Sequence, residues 1–323
     1  MLAFERGDLA VPSTALVIGA QVHEEFLKWP DVKGHQTLKD EADAWTAKGL
    51  SLVEDLDGKY ELVVVLPGKS KEATLVQLAQ GICAARPGGT IICSMLNSAG
   101  GARFQKELKS VLGDVDSFQK NKCRVFWGEK SERLDERKLK SWHSLDQLSI
   151  VPGSAFQTRP GVFSANRIDP GSIFLALNLP KRIHGKVADL GAGWGYLSSE
   201  VLKRCPGVKQ LDLYELDRLA LDCAKLNLND ERLNFYWQDV AAGVPGNYDS
   251  IVMNPPFHSG IATNVSLGKR FLQSAYDALK KQGEMFIVAN RQLPYEGELD
   301  ELGLRWRKEA EDATYKLLFT VKR

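Results

Sequence analysis

An α/β protein of two doubly wound domains is the fold class this sequence predicts, and three observations carry that reading. The second half alternates short apolar strands with amphipathic helices, the pattern of a parallel sheet covered on both faces. The first half repeats the same grammar. Between them, residues 129–160 are charge-rich (EKSERLDERKLK) and then turn-rich (VPGSAFQTRPG), which suits a domain connection. At 323 residues the chain is long enough for two full cores. The expected division is 1–150 and 151–323, each domain Rossmann-like.

The elements of the second half follow in order. Residues 186–190 form a short apolar strand carrying Asp189, and a helix covers 195–204. Residues 210–215 (QLDLYE) are a second strand. Over 217–227, Leu219, Ala220, Cys223, Ala224 and Leu226 share one helix face. Residues 235–237 and 248–253 are the third and fourth strands. A helix over 271–281 is stopped by Gly283, and a fifth strand spans 284–289. The tail, 304–321, holds two further strands (RWRKEA and YKLLFTV), which suit an antiparallel end to the sheet.

The first half reads as an internal copy. Tyr60-Glu61-Leu62-Val63-Val64-Val65-Leu66-Pro67 parallels Tyr248-Asp249-Ser250-Ile251-Val252-Met253-Asn254-Pro255. GGTIICS at 88–94 parallels GEMFIVA at 283–289, and residues 15–21 parallel 187–193. Val17 then stands for Asp189, Gln21 for Gly193, Leu66 for Asn254 and Lys69 for Phe257. The copy keeps apolar strands and lacks every polar or glycine feature that chemistry would use. The alternative is two unrelated α/β halves that look alike because such strands do.

Composition is that of a globular protein, 44% hydrophobic and 26% charged. No apolar run approaches the ~20 residues of a membrane helix. The opening MLAFERGDLAVPS lacks a basic stretch followed by an apolar segment, so the expectation is no signal peptide and a cytoplasmic location. The five cysteines are odd in number and show no C-x-x-C spacing, which predicts neither a disulfide framework nor a zinc site. The five histidines are scattered, so no metal is expected. Net charge is +1. If the partner is nucleic acid, its basic contacts must be gathered locally.

Two motifs carry chemistry. Gly191, Gly193 and Gly195 follow a strand and open a helix, where the backbone can turn sharply and the helix N-terminus can meet an anion. A dinucleotide loop would read G-x-G-x-x-G. Here it is G-x-G-x-G, with Tyr196 in place of the third glycine, and Asp189 precedes it. That spacing favours S-adenosylmethionine over NAD. Glu215, at the end of the second strand, can accept both ribose hydroxyls. Asp239, after the third, can accept from the adenine amino group or cap a helix.

The second motif is Asn254-Pro255-Pro256-Phe257. A purine or amide amino group has a delocalised lone pair and is a poor nucleophile. The Asn254 side-chain oxygen and the Pro255 carbonyl can each accept one N–H, fixing the group and turning its lone pair toward a sulfonium methyl. Phe257 can stack on the base. The nitrogen becomes acidic on methylation, so positioning and preorganised acceptors suffice. His258 lines the base pocket or holds the loop. Trp194 and Tyr196 read as packing residues.

With these residues in view, the chain resembles the bacterial ribosomal RNA guanine-N2 methyltransferases of the RsmC type. The similar stretches are PGVFSANRIDPGS (160–172), VADLGAGWG (187–195), NPPFHSG (254–260) and IVANRQLPY (287–295). The resemblance implies a degenerate methyltransferase-like first domain that docks RNA, and a catalytic class I second domain. It implies that Asp189, Gly191, Gly193, Gly195, Glu215, Asp239 and Asn254 bind S-adenosylmethionine. It also implies that Asn254, Pro255, Pro256 and Phe257 hold the target guanine, with His258 and Phe163 beside it. The segment of Phe163, Ser164 and Asp169 would close over the pocket. The implied partner is ribosomal RNA or a ribosomal subunit, and a monomer is expected. Rival readings are an adenine or glutamine-amide methyltransferase, a non-catalytic RNA-binding factor and, least, a dehydrogenase.

Overall fold

The computed structural model describes residues 2–56, 58–256 and 263–323. The chain divides into two compact units, Met1–Gln147 and Leu148–Arg323.

The first unit is built on a seven-stranded sheet. Its strands are β1 (Ala15–Ile18), β2 (Val32–His35), β3 (Ser51–Leu52), β4 (Tyr60–Val65), β5 (Ala85–Leu96), β6 (Asp116–Lys120) and β7 (Cys123–Glu129). They lie in the order β3-β2-β1-β4-β5-β7-β6. The first five are parallel, and β7 and β6 close the sheet antiparallel. Its helices are α1 (Leu2–Glu5), α2 (Lys39–Ala47), α3 (Lys71–Ala84), α4 (Gly101–Leu112) and α5 (Glu136–His143).

The second unit begins with a small hairpin, β8 (Ser149–Ile150) and β9 (Gln157–Thr158), and with α6 (Pro170–Asn178). Its sheet comprises β10 (His184–Leu190), β11 (Gly207–Glu215), β12 (Leu233–Trp237), β13 (Tyr248–Met253), β14 (Leu279–Asn290), β15 (Arg305–Glu311) and β16 (Tyr315–Val321). The order is β12-β11-β10-β13-β14-β16-β15, the same topology, again with two antiparallel strands at one end. Helices α7 (Tyr196–Arg204), α8 (Arg218–Asn227), α9 (Thr263–Ala278) and α10 (Tyr295–Glu301) complete it.

Register makes the correspondence residue by residue. Ala15 pairs with Leu62, and Val187 with Ser250, so Val17 stands where Asp189 does and Leu66 where Asn254 does. Both sheets slip register at a matching place, between Tyr60 and Leu62 and between Tyr248 and Ser250. A glycine sits at each slip, because a Cβ on Gly89 or Gly283 would come within 3.0 Å of the carbonyl of Tyr60 or Tyr248. The central strands are buried on both faces, as parallel strands between helix layers must be. One difference is large. Between β1 and β2 the first unit has only a short 3-10 turn, Glu24–Lys28, where the second has α7.

Element boundaries differ from the sequence reading in three ways. The helix expected to start at Phe271 starts at Thr263. β10, β11 and β12 start two or three residues early, at His184, Gly207 and Leu233. Their first turns out of the core are partly exposed and carry no apolar pattern. The helix expected to end at Lys281 ends at Ala278, because Leu279 already pairs with Tyr248 and the bulge falls inside the strand.

Candidate active site

At the carboxyl end of β10, Gly191, Gly193 and Gly195 all hold positive φ, at 78°, 56° and 92°. Gly195 caps α7, and a side chain there would meet Leu228 at 2.8 Å. The Gly193 N–H donates to Glu215 Oε2 at 2.7 Å, and the Asp217 N–H donates to Glu215 Oε1 at 2.9 Å. Each oxygen therefore takes one backbone donor and keeps a lone pair, which suits a vicinal diol. Burial pushes the Glu215 carboxyl up, against backbone hydrogen bonds from Asp217, Gly193 and Leu216.

Two buried aspartates of this sheet show what makes the site unusual. Asp212 of β11 is 0% exposed. It accepts from Gln210 Nε2 (2.8 Å), Asn234 Nδ2 (2.8 Å) and Tyr248 OH (2.7 Å), and lies 3.3 Å from Lys186 Nζ. Burial raises its carboxyl, but these partners outweigh it and hold it below the ordinary range. Asp189 of β10 is 1% exposed and has Ser198 as its one hydrogen-bond partner among the described residues, with Ser198 Oγ donating to Oδ2 at 2.7 Å. Its Oδ1 has no partner among the described residues. Burial, with the neighbouring Glu215 charge adding to it, pushes Asp189 up to about 7. A buried, unpaired acceptor at a cleft is an unfilled demand for a donor.

That cleft encloses about 450 Å³ of space, part of it open to solvent. Asp189 and the glycine loop form one side, and Phe163, Ser164, Asp169 and Asn254 also line it. Trp194 Nε1 donates to the Phe163 carbonyl at 3.1 Å, and its ring packs on Phe156 and Tyr196 at centroid distances of 5.3 and 6.1 Å. Asn254 follows β13 directly, and its Nδ2 donates to Asp169 Oδ2 (2.7 Å) and Ser172 Oγ (2.9 Å). Pro255 is buried and Pro256 half-buried beside it.

The residues singled out by sequence thus converge, with distinctions. Asp189, Gly191, Gly193 and Asn254 line the cleft, Gly195 caps the helix beneath it, and Glu215 grips its loop. Phe163 lines the cleft at 62% exposure. Asp239 caps the 3-10 turn Val240–Ala242 through Ala241 N (2.8 Å) and is not among the lining residues. Phe257 and His258 lie outside the described residues. Sequence reasoning missed the Ser198 partner of Asp189 and the Asp169–Asn254 contact, both made between distant elements. The resemblance pointed to Asp169 as part of a segment closing over the pocket, but not to its bond with Asn254.

The cleft residues suit S-adenosylmethionine. The unpaired Asp189 oxygen suits an ammonium, Glu215 suits a ribose diol, and the α7 N-terminus suits a carboxylate. Among the described residues no group of His, Cys, Asp and Glu could hold a metal ion, and no helix is long and apolar enough to cross a membrane.

Known proteins agree with this architecture. The methyltransferase small domain family matches residues 153–319. The chain is 29% identical to the ribosomal RNA small subunit methyltransferase C of Psychromonas ingrahamii, over 95% of this chain and 88% of that one. It is 30% identical to the protein of the same name from Shewanella amazonensis, over 83% of this chain and 79% of that one. Among solved structures, the T. thermophilus 16S rRNA N2 methyltransferase RsmC, in complex with AdoMet and guanosine, is similar with a TM-score of 0.81. Its sequence identity is 27%, over 98% of this chain and 89% of that chain. Family match, whole-chain similarity and cleft together lead to one assignment: the chain belongs to the ribosomal RNA small subunit methyltransferase C family, enzymes built on the methyltransferase small domain.

Proposed function

We propose that this chain transfers the methyl group of S-adenosylmethionine to the exocyclic N2 amino group of a guanine in small-subunit ribosomal RNA. The observation that carries the reading is Asn254, whose amide stands in the same cleft as the unpaired Asp189 carboxylate and the glycine loop. Guanine is favoured over adenine or a glutamine amide because the similar T. thermophilus enzyme is an N2 methyltransferase whose complex contains guanosine.

S-adenosylmethionine supplies a methyl carbon made electrophilic by its sulfonium. Glu215 holds the ribose hydroxyls, and Asp189 takes a donor from the amino-acid end. Asn254 Oδ1 and the Pro255 carbonyl accept the two N–H groups of the target amine, which favours pyramidalisation and directs its lone pair. Phe257 stacks on the base and Phe163 covers it. The amine nitrogen bonds to the methyl carbon as the carbon–sulfur bond breaks, and the neutral thioether leaves. The methylated nitrogen then loses one proton to water. No side chain has to remove it before transfer, so the rate rests on orientation and fixed acceptors.

The first unit we assign as an RNA-docking copy without a cofactor site. Val17, Gln21 and Leu66 replace Asp189, Gly193 and Asn254 there, and Lys69 and Lys71 are exposed, as either a solvated loop or a phosphate contact requires. We adopt a cytoplasmic monomer as the working state of the enzyme.

The test is transfer from labelled S-adenosylmethionine to small ribosomal subunits and deproteinised RNA from cells lacking this protein, followed by nucleoside mass spectrometry. Label in N2-methylguanosine is expected. Label in methyladenosine or in protein would discard guanine and keep the Asn254 chemistry, and no transfer despite cofactor binding would support a non-catalytic role.

A further inference from the structure

We propose that Asp169 is a positioning residue that sets which end of the Asn254 amide faces the target amine. The inference rests on the reading of Asn254 as the acceptor for that amine, and adds what makes it an acceptor.

A side-chain amide is nearly symmetric in shape. Half a turn about its last torsion exchanges oxygen for NH2, and an NH2 presented to an amino group would repel it. Nothing in the motif Asn254-Pro255-Pro256 decides between the two. The segment 85 residues earlier does. Asn254 Nδ2 donates to Asp169 Oδ2 at 2.7 Å and to Ser172 Oγ at 2.9 Å, so both amide protons are spent. Asp169 Oδ2 already accepts the Ser172 N–H, so the flipped amide would set oxygen against oxygen. Oδ1 is left on the other arm of the amide as an acceptor.

Asp169 is itself held in place. It is the N-cap of α6, its Oδ2 accepting the Ser172 N–H at 2.8 Å, with Pro170 opening the helix. Gly171 gives the arrangement room. A Cβ there would lie 3.0 Å from Asp169 Oδ2, 3.1 Å from the Tyr315 ring and 3.5 Å from Asn254 Nδ2. The run Asp169-Pro170-Gly171-Ser172 is therefore a helix start shaped around one distant amide.

The variant that separates orientation from capping is Asp169→Ser. Serine is a good N-cap, but its side chain is too short to reach Asn254. Single-turnover methyl transfer is expected to fall about 10- to 100-fold, the scale of losing a hydrogen bond to a charged group, with S-adenosylmethionine affinity by calorimetry unchanged within about twofold. Asp169→Asn, whose oxygen can still accept from both groups, should restore most of the rate. Gly171→Ala, which removes neither partner, should lower turnover several-fold with cofactor affinity intact. The decisive arm is the combination with Asn254→Ala. A residue that acts through Asn254 adds no further loss once Asn254 is gone. Multiplying losses in the double variant, or wild-type turnover in Asp169→Ser while Asn254→Ala is impaired, would overturn this proposal alone. Wild-type turnover in Asn254→Ala would instead overturn the assignment of Asn254, and this proposal with it.

Discussion

The two seven-stranded sheets share one strand order, one register slip and one antiparallel end, yet they treat the same positions in opposite ways. Val17 is 0% exposed and packs in a core with Phe26, Trp29 and Trp45. At the matching position the second sheet buries Asp189 with one oxygen unpaired. One residue beyond the strand pairs Ile18–His35 and Leu190–Tyr214 stand Gln36 and Glu215. Gln36 donates to the Ala20 carbonyl (2.9 Å) and accepts from Thr37 N (2.8 Å) and Leu38 N (3.0 Å), so it closes its own loop. Glu215 grips its loop similarly but brings anionic oxygens with lone pairs to spare. The scaffold, then, asks for apolar faces, a glycine at the bulge and a positive-φ glycine after the first central strand, which the copy keeps as Gly19 against Gly191. A ligand site is where the scaffold accepts a residue that is worse for stability.

The comparison can be broken at several points. The largest expected effect is on stability against pH. Asp189 is raised by burial from 3.8 to about 7 in the folded chain. The folded state then binds more protons at this group than the unfolded between those values, so the contribution of Asp189 to the stability of the ligand-free protein is full below that range. It is lost as pH rises toward 7, by up to about 4 kcal/mol. Denaturant titrations from pH 4 to 8 should show this fall in the wild type and not in Asp189→Asn; parallel curves would contradict it. Next, Val17→Asp places an unpaired charge in the first unit's core and should cost at least about 3 kcal/mol without gaining any cofactor affinity. Asn254→Ala should lower turnover about 100-fold, some 2.7 kcal/mol, and weaken S-adenosylmethionine binding far less than that, read by transfer kinetics beside calorimetry. Smallest, Glu215→Gln gives the second unit the first unit's amide. It should weaken cofactor binding about 10-fold while the melting transition hardly moves, and an unchanged Kd would remove Glu215 from the site.

The fold was legible because its determinants are local and repetitive. The inner ends of the paired strands, Leu62–Val65 and Ile251–Met253, are apolar throughout, as strands buried on both faces are, and the paired motifs gave their register. The glycine loop and Glu215 were legible for the same reason, since strand ends meet at one edge in this topology. Less legible were properties that depend on what else arrives. The sequence shows Asp189 and Asp212 as two acids in neighbouring strands. Only packing gives one of them four partners and leaves the other with one. Asp239 was read as adenine ligand or cap, and its cap bond is a contact of two residues' span. Asp169 to Asn254 spans 85 residues, and no local pattern encodes it.

The most direct test of the contrast between the two sheets is the stoichiometry of S-adenosylmethionine binding to the full chain by titration calorimetry, in the wild type and in Asp189→Ala and Glu215→Ala. One site per chain, strongly weakened by either substitution, is the expected result. Two sites, or wild-type affinity in both variants, would contradict the account.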